Sequence, residues 1–110
     1  MNVYKLSANC TVAGQILASD VVAIAADGFT TIVCNRPDGE DMGQPTADEI
    51  AAECASHDLV FHHIPVSNSG LTMDAVERFR DAVTNSKGPV LAYCRSGQRC
   101  SVIWQASGAP

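Results

Sequence analysis

A chain of 110 residues and 11.6 kDa, 46% hydrophobic and 17% charged, is long enough for a single domain, 1–110, with one modest core, and it leaves no stretch of disordered composition. The formal net charge of -5 excludes a basic surface for nucleic acid or anionic lipid, and five irregularly spaced cysteines with no C-x-x-C exclude a secreted disulfide framework. The three histidines complete no metal-ligand pattern, so neither metal nor cofactor is expected; with no apolar leader in "MNVYKLSANC" and no run of membrane-spanning length, the expected compartment is the cytoplasm.

In chain order, "VYKLS" and "TVAGQI" read as two short strands joined at Ala8-Asn9. A helix is predicted in "SDVVAIAADG", capped by Ser19 and ended by Gly28. "TTIVCN" is β-branched and apolar on both faces, the pattern of a strand covered on each side. The polar stretch "RPDGEDMGQP" is a loop, after which Thr46 opens a capping box ending in Glu49, with Ile50 and Cys54 on one face of the helix. "LVFHHIPV" is a strand and "SNSGL" a loop. Thr72 then caps "MDAVERFRDAVTNS", whose buried stripe is Val76, Phe79 and Val83. Gly88 and Pro89 reset the chain, "VLAYC" is a buried strand, and a last helix is predicted from near Arg99 through Trp104. There is no repeat and no linker. Alternating strands and helices predict an α/β fold with a mostly parallel sheet of about five strands and helices on both faces.

In such sheets ligands bind beyond the carboxyl ends of the strands, which is where Cys94 must sit. "CRSGQR" between a strand and a helix reads as an anion cradle: Gly97 permits a tight bend, and the amides can converge before the helix N-terminus. Arg95 and Arg99 place two of the chain's seven basic residues within six positions. Helix N-termini and neighbouring cations favour a thiolate, so Cys94 is expected to be ionised. A small buried strand-end cysteine would not account for the glycine and two arginines.

Several segments resemble a known family: "VAGQI", "GFTTIVCNRPDGE", "GQPTADEI", "HIPV" and "GPVLAYCRSGQR". Over nearly its whole length the chain is similar to the phosphatase-like domain of the beta-lactamase-hydrolase-like proteins, a bacterial branch of the dual-specificity phosphatase superfamily. The resemblance implies a tyrosine-phosphatase-like three-layer fold, Cys94 as nucleophile and Arg99 as the anion-binding arginine, with Arg95, Ser96, Gly97, Gln98 and Cys100 completing the substrate-binding loop. Three departures stand out. The superfamily's phosphatases use C-x5-R, whereas this loop is C-x4-R, as in single-domain rhodaneses. Their general-acid aspartate is replaced by Asn68, and the hydroxyl residue after the loop arginine is Cys100. Their longer C-terminal helical part is also missing, which raises a homodimer or a fragment as readings.

Each departure weakens ester hydrolysis and none harms sulfur transfer, because a leaving thiolate needs little protonation. The first expectation is therefore sulfane-sulfur transfer from thiosulfate or a persulfide through a Cys94 persulfide. Arg99 holds the donor's anionic group, Arg95 steers anions to the mouth, and glutathione or thioredoxin is the acceptor. The alternative is phosphomonoester hydrolysis through phosphocysteine, with Asp38 as the substitute acid. The third is a redox-sensing anion-binding module. For that role Cys34, at the end of the neighbouring strand, is expected to meet Cys94, whereas Cys100 is expected to point away at the start of its helix. Arg36, Asp38, Glu40 and Asp41 form a loop expected to overhang the pocket, Arg36 at its rim, the others also readable as solvated turn residues. Cys10, Cys54, His62, His63 and Trp104 read as structural.

Overall fold

The alternation of β-branched runs with amphipathic stretches produces β1 (Val3–Lys5), β2 (Cys10–Ala13), α1 (Val21–Ala26), β3 (Thr31–Cys34), α2 (Ala47–Ser56), β4 (Val60–His63), α3 (Met73–Thr84), β5 (Val90–Tyr93) and α4 (Gln98–Ser107), in a computed structural model that describes residues 2–110. The sheet runs β1-β2-β5-β3-β4, with β1 antiparallel to β2 and every other pair parallel. The chain steps outward from β2 to β3 to β4, then returns to insert β5 between β2 and β3. Parallel crossovers are right-handed, so reversing direction transfers the connecting helix to the opposite face. Accordingly α1 and α2 cover one face and α3 and α4 the other.

Insertion at the centre buries all four residues of β5, and the two-residue period divides them between two cores. Val90 and Ala92 face α3 and α4 with Val12, Val33 and Ile64; Leu91 and Tyr93 face α1 and α2 with Ile24, Ile32 and Ile50. Helix α3 buries Ala75, Phe79, Ala82 and Val83 and leaves Val76 only partly covered, so its stripe is rotated slightly from the predicted one. The predicted Thr46 and Thr72 caps form, each hydroxyl accepting an amide proton at 3.1 Å, from Glu49 and Ala75 respectively.

Local departures have local causes. Ser19 caps nothing; it lies within a 3-10 turn, Ala18–Asp20, where the Asp20 carboxylate accepts the Leu17 amide at 2.8 Å. The first strand stops at Lys5 because Leu6 and Ser7 turn their amides back onto the Cys10 carbonyl. Helix α4 runs past Trp104 to Ser107 and ends where Gly108 turns left-handed, with φ 67°. No helix is long and apolar enough to cross a membrane, and among the described residues no group of three or more His, Cys, Asp or Glu side chains is arranged to hold a metal ion.

Candidate functional site

Strand β5 delivers Cys94 to the carboxyl edge of the sheet, and α4 begins only four residues later. The bend between them is made at Gly97, whose φ is 92° and whose Cβ, were there one, would lie 3.5 Å from the Ala13 carbonyl. Glycine is required because the left-handed conformation penalises any side chain. The bend aims the Gly97 amide at the Cys94 sulfur, 3.0 Å away, and the amides of Ser96 and Cys100 converge on the same atom. Beneath, the loop is stitched to the end of β2: the Cys94 amide donates to the Ala13 carbonyl at 3.2 Å and the Gln15 amide to the Arg95 carbonyl at 3.3 Å. A four-residue spacer therefore still wraps the sulfur in amides.

The Cys94 thiol is pulled down to about 5, first by a hydrogen bond from the Cys100 side chain and then by these amides, against the opposing effect of burial. At neutral pH the site holds a thiolate, fully covered by the loop. Cys100 is the converse case: burial and the adjacent Cys94 push its thiol well above the ordinary range, so it stays protonated and donates.

Arg99 is held rather than free. Its Nη1 and Nη2 grip the Glu40 carboxylate, both at 2.7 Å, and Nη1 also donates to the Val66 carbonyl at 2.8 Å. Three of its five donors are thus used. The Nε–H and the second Nη2–H lie together on the remaining edge, a fork suited to two oxygens of one anion. Glu40 also accepts from Arg36 Nε at 3.0 Å, and Arg36 continues to Gln15 at 3.0 Å and Asp41 at 2.7 Å. Asp41 reaches Arg95 at 3.5 Å. With two guanidinium groups on it, Glu40 is driven down to about 2, chiefly by its hydrogen bonds from Arg99. This network joins the loop after β3 to the cysteine loop.

These contacts correct four expectations. Arg36 is no rim residue: it is 3% exposed, and three of its five donors are taken by Glu40, Gln15 and Asp41. Asp38, expected as a substitute acid, accepts the Ala47 amide at 2.8 Å and so caps α2. Cys34 does not meet Cys94. It is in register with Tyr93, on the α1/α2 face of the sheet, and donates to the Arg36 carbonyl at 3.3 Å, whereas Cys94, one residue further along, turns to the other face. Cys100, expected to point away, lies directly beside Cys94. Of the other loop residues, Ser96 accepts the Gln98 amide at 3.3 Å, and both are exposed with Arg95. Asn68 lies across a cavity of about 210 Å³ that is also lined by Val66, Leu71, Gln98, Arg99 and Val102. A larger cavity of about 360 Å³, lined by Thr31, Val60, His62 and Lys87 among others, is at the opposite end of the strands. His63 Nε2 bonds to the Arg36 carbonyl at 3.0 Å and helps hold that loop.

Gln15 is a site residue that sequence reasoning missed, and Glu40, placed by it on the overhanging loop, was also readable as a solvated turn residue rather than as the partner of Arg99. An acidic turn beside one arginine carries no signal, although the "CNRPDGE" segment ends on Glu40.

The family model described as "Beta-lactamase hydrolase-like protein, phosphatase-like domain" matches residues 2–110. A beta-lactamase hydrolase-like protein of Agrobacterium fabrum is 35% identical over 106 residues, covering 94% of this chain and 24% of that protein. A relative of the same name from Xylella fastidiosa is 27% identical over 97% of this chain. The chain thus spans about a quarter of the length of the curated relatives it matches. Among solved structures, a candidate phosphatase from Neisseria meningitidis Z2491 superimposes with a TM-score of 0.83 at 38% identity, over 96% of this chain and 78% of that one. The fold is the tyrosine-phosphatase-like one.

Proposed function

The chain belongs to the family of phosphatase-like domains of beta-lactamase hydrolase-like proteins, and from that membership we propose that it is a cysteine-dependent phosphatase acting on phosphomonoesters whose leaving group departs without a proton. The carrying observation is the Cys94 thiolate, ringed by amides of Ser96, Gly97 and Cys100, on a loop whose Arg99 keeps its Nε–H and one Nη2–H free of protein partners. Cys94 Sγ attacks phosphorus opposite the ester oxygen, the P–O bond breaks, and phosphocysteine forms. The loop amides and Arg99 carry the charge on the three peripheral oxygens. Water then attacks phosphorus, releasing phosphate and restoring the thiolate. An aryl oxide leaves unaided, whereas an alkoxide needs a general acid. Asp38 caps α2, Asp41 is tied to Arg36, Asn68 has no titrating proton, and Glu40 is ionised at any pH above about 2.

The same lack of an acid supports a second reading, the sulfur transfer expected first from the sequence, in which Cys94 takes the outer sulfur of thiosulfate or a persulfide. The fold and relatives favour hydrolysis over it. One set of assays separates them. On the phosphatase reading, wild type turns over p-nitrophenyl phosphate, handles an alkyl phosphate at least a hundredfold more slowly, and loses both activities in Cys94→Ser. No turnover of either ester, with one sulfur added to Cys94 by thiosulfate or glutathione persulfide in the mass spectrum, overturns hydrolysis in favour of transfer.

A further inference from the structure

Alternation along β4 points Val60 and His62 to the α3 side of the sheet, in step with Ile64, which lies in that core. Helix α3 packs against α4 and leaves this edge of the sheet uncovered, so Val60 stays 52% exposed. The cavity of about 360 Å³ lies in that gap, between β4 and the last turns of α3, at the end of the strands remote from Cys94. Its lining includes a hydroxyl cluster whose protons can be assigned. Ser86 Oγ bonds to the Gly88 carbonyl at 2.7 Å, and a carbonyl only accepts, so the single hydroxyl proton of Ser86 is spent there. Thr30 Oγ1 at 3.1 Å and Thr31 Oγ1 at 2.8 Å must therefore donate to Ser86. Both threonines line the cavity with only oxygen lone pairs left to offer, and Thr31 is 2% exposed.

The walls repeat that chemistry. Asp58, in the turn after α2, and Asp81, in the last turn of α3, line the cavity with carboxylates that form no ion pair among the described residues. A carboxylate there faces the negative end of the helix dipole, and α3 has no basic residue in its last turn to offset it. His62 adds no charge at neutral pH, because burial holds it below its ordinary range. Spent hydroxyls, carboxylates and a helix C-terminus are acceptors, whereas an ammonium group has donors alone. We propose that this cavity is a binding site for a free alkyl diamine, its ammonium groups held by the Asp58 and Asp81 carboxylates and the Thr30 and Thr31 oxygens. The connecting methylenes lie over Val60 and Ala82, the apolar part of the lining. A volume of about 360 Å³ suits a small molecule. Lys87, the exposed cation among the lining residues, repels this ligand and takes no part in holding it. None of these residues belongs to the Cys94 loop, so the inference is independent of the reaction there.

Titration of isotope-labelled protein with cadaverine, followed by NMR and calorimetry at low salt, tests this. Saturable shifts are expected at Thr30, Thr31, His62 and Asn85, and they should be the same in Cys94→Ser. Asp81→Asn, on the exposed side of α3, should weaken binding about tenfold, the scale of one charge-assisted hydrogen bond. Thr31→Val matches threonine in shape and charge and should also weaken it, by about fivefold. Lys87→Ala should tighten it, and glutarate, a dianion in place of the dication, should leave the spectrum unmoved. The absence of saturable shifts overturns the proposal, as does weaker binding in Lys87→Ala or binding of glutarate. Unchanged affinity in Asp81→Asn or in a folded Thr31→Val means diffuse attraction to an acidic surface and overturns it too; if Thr31→Val fails to fold, Asp81→Asn decides. The same ammonium chemistry could come from a lysine side chain, and Nα-acetyl-lysine methylamide separates the two sources. Binding of that compound as tightly as cadaverine overturns the assignment to a free diamine.

Discussion

A thiol removed from water is ordinarily harder to ionise, because burial disfavours the charged form. Cys94 reverses that rule because several donors converge on its sulfur, and the largest contribution comes from a residue six positions along, Cys100. Cys100→Ala should therefore raise the Cys94 pKa by one to two units, the equivalent of losing about 1.5–3 kcal/mol from a hydrogen bond to a charged group. The pH dependence of iodoacetamide alkylation measures it, and an unmoved midpoint would assign the shift to the amides alone. Stability follows the same proton. The folded pKa of about 5 lies below the ordinary 9.0, so the thiolate's contribution is fully present above pH 9 and is lost as pH falls toward 5. Urea unfolding of wild type should show stability rising across that window more steeply than in Cys94→Ala.

At the scale of elements, two loops and the start of a helix are joined by one carboxylate. Glu40 lies on the loop between β3 and α2 and holds Arg99 of α4 and Arg36 at once. Arg36 in turn reaches Gln15 beyond β2, while His63 of β4 holds the Arg36 carbonyl. Glu40 acts through Arg99, fixing which donors of the guanidinium are taken and which are left. Glu40→Gln should raise KM for an aryl phosphate about tenfold, the scale of one charge-assisted hydrogen bond, with a smaller change in kcat. The Cys94 alkylation profile should be unchanged, since Glu40 does not act on that sulfur. A shifted profile would mean that the whole cradle had collapsed, and a purely positional role for Glu40 would be wrong.

Over the whole molecule, the sheet separates two cores, and one of them contains both Cys94 and Cys100 of the cysteine loop. Phe79 of α3 is fully buried in the core that also contains Cys94 and Cys100. Phe79→Ala should cost about 3–5 kcal/mol in urea unfolding, the usual range for emptying a phenylalanine site. Thr46→Ala, which removes one helix cap on the other side of the sheet, should cost about 1 kcal/mol. If the two losses were equal, the α3/α4 core would be far less closely packed than its full burial indicates.

What the sequence determined by itself is whatever depends on neighbours along the chain. The two-residue period of "TTIVCN" and "VLAYC", the threonine caps and the glycine bend of "CRSGQR" are short-range chemistry. They were legible because their partners lie within about four residues. From them followed the mostly parallel sheet, helices on both faces, and Cys94 with Arg99 at the edge of the sheet. Tertiary structure decided the rest, because it depends on strand order and on which face a side chain takes. The Arg99–Glu40 grip spans 59 positions, and no local pattern marks it. The insertion of β5 beside β3 set Cys34 in register with Tyr93 rather than with Cys94, so adjacent strand ends did not make adjacent thiols. Asp38 was available as an acid in the sequence and became a helix cap only when α2 folded over its loop. Cys100 came to Cys94 through the tight return of a four-residue spacer into a helix, a three-dimensional closure that spacing alone left open in direction.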